Sequence, residues 1–129
     1  MEFDVLLVDD SAAIRKILQR VLRQTGIAIR TILEAGDGQE ALQILNGQTV
    51  NLVLTDINMP KMDGIQLLAA IKGAASWRDI PVVMVTTEGG ESSVGEALRL
   101  GAAGYVRKPF TADEIKGKLA GILPAPVVS

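Results

Sequence analysis

Val5-Leu6-Leu7-Val8-Asp9-Asp10-Ser11 holds four apolar residues without a break, then two acids, then a residue suited to capping a helix. A short continuous apolar run is what a strand buried on both faces requires, and such strands belong to parallel sheets covered by helices on each side. Ser11 can cap the segment that follows, where Ile14, Ile17, Leu18, Val21 and Leu22 recur at helical spacing and Gly26 marks the end. The stretch is thus read as strand, acidic turn and amphipathic helix.

The same unit repeats outward along the chain. Ile29 to Ala35 reads as a second strand, followed by a helix that Asp37 caps, that carries Ala41, Leu42 and Leu45, and that Gly47 closes. Leu52-Val53-Leu54 is a third strand, with a Pro/Gly loop and a helix burying Leu67, Leu68 and Ile71 behind it. Ile80 to Val85 is a fourth strand, with Pro81 at its start, where a missing N–H is tolerated. Gly89-Gly90 opens onto a helix with Val94, Ala97 and Leu98, which Gly101 ends. Gly104 to Val106 is a short fifth strand. Thr111 to Glu114 forms a capping box that starts a last helix burying Ile115, Leu119 and Ile122. Five such units predict an α/β fold: a five-stranded parallel sheet with helices on both faces. One domain is expected over residues 1–123. The tail at 124–129 has two prolines and no periodicity, and is expected to be frayed.

Composition narrows the function classes. The 129 residues, 48% of them hydrophobic, suit one compact domain with a sizeable core. A net charge of −2 argues against nucleic-acid and membrane surfaces, which favour basic patches. Cysteine is absent, so thiol chemistry is excluded and a reducing cytoplasm suits the chain. Histidine is absent too, which removes the commonest general base and the commonest metal ligand.

Ligands of open parallel sheets bind beyond the carboxyl ends of the strands, so chemistry is sought there. The first strand ends in Asp9-Asp10, the third in Asp56, the fourth in Thr86-Thr87 and the fifth in Arg107-Lys108-Pro109; the second contributes nothing comparable. Singly, each has a bland reading. An acid pair suits a helix N-terminus, a lone Asp makes an Asx turn, threonines are common in strands, and Lys before Pro is usually a solvated turn. Met59 and Met62 are read as gap-fillers rather than ligands. Jointly, each at the end of the right strand, they predict a site. Three converging carboxylates repel one another and call for a hard cation such as Mg²⁺, which would leave one carboxylate able to attack phosphorus. Lys108 would neutralise further charge and Thr86 would donate to phosphoryl oxygens.

The motifs VDDS (8–11), LTDINMPKMDG (54–64), VTTE (85–88) and GYVRKPF (104–110) resemble the receiver domain of two-component response regulators, especially the chemotaxis branch, over Val5 to about Leu123. The resemblance implies a flavodoxin-like sheet of order 2-1-3-4-5. It implies that a histidine kinase phosphorylates Asp56. Asp10 and Asp56 would bind Mg²⁺ by side chain, Asp9 would place metal-bound water, and Asn58 would offer its backbone carbonyl. Lys108 would contact the phosphoryl group, with a cis bond to Pro109. Thr86 would swing toward that group and Tyr105 would move inward behind it. Asn58 and Glu88 would tune dephosphorylation. The readout would be protein binding to helix four, strand five and helix five, by a monomer that acts alone as a switch rather than as an enzyme. The sequence departs from the chemotaxis pattern in the Gly-Gly-Glu-Ser-Ser at 89–93, which lacks lysines, and in Gly117 and Gly121, which weaken a helix. Competing readings are a receiver acting outside chemotaxis, an Asp-nucleophile phosphohydrolase of the haloacid-dehalogenase type, and an interaction module that has lost phosphorylation. The phosphohydrolase reading fits poorly, because those enzymes place an Asp-x-Asp after the first strand and carry a substrate cap.

Overall fold

The structure, a computed structural model, describes residues 3–57, 59, 61–86, 91–108 and 110–122, with the backbone alone for Thr86 and residues 91–94. Strands and helices alternate: β1 (Phe3–Val8), α1 (Ala12–Gln24), β2 (Ile29–Ala35), α2 (Gly38–Gly47), β3 (Leu52–Thr55), α3 (Gly64–Lys72), β4 (Val82–Thr86), α4 (Glu91–Arg99), β5 (Gly104–Arg107) and α5 (Ala112–Ala120). The sheet runs β2-β1-β3-β4-β5 and every pairing is parallel. From β1 the chain steps out to β2, then returns past β1 to β3. The order therefore reverses between β1 and β3, which makes their carboxyl ends the topological switch point. Val8 lies level with Ala35 on one side and Thr55 on the other, so the three strands end together.

The unbroken apolar runs are explained by two cores. Leu6, Val8, Val53, Val82 and Met84 face one way and pack with Ala41, Leu68 and Ala97 of α2, α3 and α4. Val5, Leu7, Leu52, Leu54, Val83 and Val85 face the other way, onto Leu18 and Leu22 of α1 and Ile115 and Leu119 of α5. Side chains alternate between faces with period two, so a strand covered on both faces is apolar along most of its length, with Asp4 in β1 and Thr55 at the end of β3 as buried polar exceptions. The edge strands differ. β2 exposes Arg30, Thr31 and Glu34, and β5 alternates buried Gly104 and Val106 with exposed Tyr105 and Arg107.

Helix ends follow their local signals. Ser11, Asp37, Asp63 and Thr111 each accept a backbone N–H as N-caps, and Asp63–Gln66 forms a second capping box that the sequence reading did not identify. Gly26 takes φ +80° just past α1, the left-handed conformation that glycine adopts without strain.

Three expectations are corrected. β4 begins at Val82 rather than Ile80. Ile17, read as part of the buried stripe of α1, is 54% exposed. It stands about 100° round the helix from Leu18, beyond the arc the sheet covers. Ile122, read as buried by the last helix, lies past the end of α5 at Ala120 and is only partly buried.

Candidate functional site

At the carboxyl edge the parallel ladder runs one residue past the strands. Asp9 N donates to Ala35 O (3.1 Å) and Asp56 N donates to Val8 O (2.9 Å). These bonds bring the residue after β1 and the residue after β3 side by side. Asp9 is buried; its Oδ1 accepts from Ser11 N (2.9 Å), an Asx turn leading into the α1 cap, and its Oδ2 accepts from Lys108 Nζ (2.7 Å). Asp56 is half-buried, with Oδ1 accepting from Ile57 N at 2.8 Å and Oδ2 3.7 Å from the same ammonium. Asp10 is exposed at the mouth.

The loop after Asp56 is held tightly. Gly64 N donates to Ile57 O (2.8 Å), which folds the start of α3 back onto the end of β3. A Cβ on Gly64 would stand 2.1 Å from the main-chain oxygen of Asp56 and 2.9 Å from Ile57 Cα. Only glycine permits that approach. Met62 O accepts from Gly38 N (3.2 Å), which ties the same loop to the start of α2. Met59 and Met62 are partly buried and pack against the core as gap-fillers.

Asp9, Asp10 and Asp56 can each offer one oxygen such that all three lie within 4.8 Å of one another. One ammonium, Lys108, with its side chain 11% exposed, reaches two of these acids, while Asp10 faces solvent. Three hard oxygen donors with their charge only partly matched, one of them open to water, fit a small divalent cation that retains some of its water. Asp10 and Asp56 stand where they could hold it, with the buried Asp9 beneath.

The second strand, expected to contribute nothing comparable, adds no acid to the cluster. Glu34 near the end of β2 instead accepts from Arg15 Nε at 2.9 Å, while Arg15 Nη1 donates to the main-chain oxygen of Asp9. The sequence reading missed both residues. Their signal was faint: a cation one turn into α1 and an acid at the matching end of the neighbouring strand.

The remaining expected residues are placed as follows. Thr86 ends β4 beside Arg107 of β5, and its side chain lies outside the described residues. Tyr105 is 40% exposed, with Lys118 Nζ 5.5 Å from the centre of its ring. Asn58, Thr87, Glu88, Pro109 with its expected cis bond, and the tail at 124–129 lie outside the described residues. Among the described residues no helix is long and apolar enough to cross a membrane.

A parallel 2-1-3-4-5 sheet with an acid triad and a lysine at its switch point defines a class, and the chain belongs to it: residues 5–120 match the response regulator receiver domain family. Within that family it is CheY-like. It is 39% identical over 120 residues to a chemotaxis protein CheY homolog of Campylobacter jejuni, covering 92% of this chain and 91% of that protein. The structure of the chemotaxis response regulator CheY4 of Vibrio cholerae superposes with a TM-score of 0.84 at 29% identity, covering 95% of this chain and all of that one. The Mn²⁺-bound form of response regulator Rcp1 superposes with a TM-score of 0.78 at 31% identity, covering 98% and 99%.

Proposed function

We propose that Asp56 is the phosphoacceptor of a Mg²⁺-dependent switch that takes its phosphoryl group from a histidine kinase and signals by binding a protein target. The observation that carries this reading is the cluster itself: three acids with oxygens within 4.8 Å, beside one half-buried ammonium, at the switch point of a receiver sheet. A carboxylate oxygen of Asp56 attacks phosphorus as the bond to the donor imidazole nitrogen breaks, and that bond's electron pair stays on nitrogen. The product is an acyl phosphate. Bound Mg²⁺ supplies charge that offsets the acids and the phosphoryl oxygens. Lys108 already bridges Asp9 and Asp56, so a small shift of its ammonium toward a phosphoryl oxygen relieves its contact with Asp56 without leaving Asp9. That the similar response regulator Rcp1 takes a Mn²⁺-bound form supports the reading of a divalent ion here.

The phosphoryl group adds about −1.5 to −2 charges beside Lys108 and the end of β4, and so favours a state in which Thr86 turns toward it. Tyr105, exposed in this structure, then moves inward. The readout surface is α4, β5 and α5, where Leu98 and Tyr105, with Leu100 just past α4, are exposed large hydrophobics. Asn58 and Glu88 set access of water to the acyl phosphate. The role is of the chemotaxis type, cytoplasmic and monomeric, without turnover of an outside substrate and without nucleic-acid or membrane binding; the chemotaxis relatives support the first of these and the net charge of −2 the last. Intact-mass measurement after acetyl phosphate and Mg²⁺ tests the core of this reading. One phosphoryl adduct is expected, lost in Asp56→Ala and with EDTA. An adduct that persists in Asp56→Ala would refute the assignment.

A further inference from the structure

We propose that Arg15 is a positioning residue for the metal-binding acids, holding Asp10 on aim by fixing the peptide that joins it to Asp9. The inference rests on the reading that these acids bind a divalent cation. Arg15 lies in the first turns of α1 with its side chain 18% exposed. Its guanidinium is used in two directions: Nη1 donates to the main-chain oxygen of Asp9 and Nε donates to Glu34 Oε1 at 2.9 Å. Glu34 is level with Leu7 in the β1–β2 register, so the planar fork spans from the acidic turn to the neighbouring strand. A two-armed guanidinium fixes orientation as well as distance.

The Asp9 oxygen it grips belongs to the Asp9–Asp10 peptide. The side chain of Asp9 is anchored independently, by Ser11 N and Lys108 Nζ. Asp10, by contrast, is exposed, and the peptide it hangs from sets the direction of its carboxylate. Releasing the Asp9 oxygen frees that peptide to rock and costs the site the preorientation of its outermost ligand.

Charge alone predicts the opposite sign. Arg15 is a cation beside a cation site, so its removal would tighten metal binding if electrostatics were all it contributed. Positioning predicts weaker binding. Mn²⁺ titration followed by the EPR signal of the free ion separates the two, with far-UV circular dichroism confirming folded protein at each point. Kd for Mn²⁺ is expected to rise about fivefold or more in Arg15→Ala. A smaller rise is expected in Arg15→Lys, which keeps the charge and one donor and serves if the alanine variant does not fold. Glu34→Gln is expected to weaken binding in the wild-type background and to change nothing further in Arg15→Ala. Unchanged or tighter Mn²⁺ binding in Arg15→Ala would overturn the proposal, as would a Glu34→Gln effect equal in both backgrounds. A wild-type protein that binds no Mn²⁺ would overturn the metal reading and this one with it.

Discussion

Asp4 and Asp9 stand near opposite ends of β1, both buried, and they do different work. At the amino edge the carboxylate of Asp4 is matched by a guanidinium: Arg30 Nε and Nη2 donate to its two oxygens at 3.0 and 2.5 Å. Its backbone is matched as well, since Asp4 N donates to Asn51 Oδ1 and Asn51 N donates back to Asp4 O, both at 2.8 Å. The bonds from Arg30 hold the Asp4 carboxyl below its ordinary value of 3.8, against the opposing effect of burial. At the carboxyl edge one ammonium serves Asp9 and Asp56 while Asp10 crowds the same space. A carboxylate with a bidentate partner is a finished structural contact. Acids gathered in excess of their cations store repulsion that a ligand can relieve, and that is how one strand carries a clamp at one end and a site at the other.

The contrast can be broken at either end. The largest stability effect is expected from Lys108→Ala, about 3 kcal/mol in urea denaturation with EDTA, because it leaves the buried Asp9 and the half-buried Asp56 without their ammonium. Mg²⁺ should then raise the melting temperature of this variant more than that of the wild type. If the metal-free loss is no greater than that of a surface lysine, the acids at this edge are not in excess. Gly64→Ala comes next, at about 2 kcal/mol, because a methyl group cannot share the 2.1 Å separating its position from Asp56 O without moving the loop. Its phosphorylation by acetyl phosphate should also slow, which a time course of intact mass would record.

Asp4→Asn is expected to cost least, about 1 kcal/mol at pH 7, since Arg30 is more than half exposed and water screens the pair. Mn²⁺ affinity should stay unchanged; a shift would show that the two ends are coupled. The sign with pH follows from the lowered carboxyl. The contribution of the pair is complete above the ordinary value of 3.8 and fades as pH falls through the lower folded value. An acid-denaturation series should therefore show the difference between wild type and Asp4→Asn shrinking on that limb. A constant difference would remove Arg30 as the cause.

Much of the architecture was legible because its signals are local. The runs at 5–8, 52–54 and 82–85 announce strands buried on two faces, and the caps at Ser11, Asp37 and Thr111 lie within three residues of the N–H groups they accept. What escaped depends on partners distant in sequence. Asp4 reads as a stray acid in an apolar strand until Arg30 is found 26 residues later. Ile17 carries the spacing of a core residue, and only the width of the sheet beneath α1 leaves it in water. Arg15 is one of several cations on α1, and only the end of β2 singles it out.

By itself, then, the sequence determined the alternation of strands and helices, the two-sided burial of the sheet, and the set of acids, threonines and lysine that end its strands. Each of these is written within one element and obeys a short-range rule of periodicity or capping. The strand order entered the reading only through family resemblance. The tertiary structure decided which of those ends meet: Lys108 reaches Asp9 across 99 residues, and Arg15 reaches Glu34 across 19. The reason is physical. A side chain's chemistry is local, but its neighbours are set by the order in which parallel strands pair, and that order is a property of the whole folded sheet.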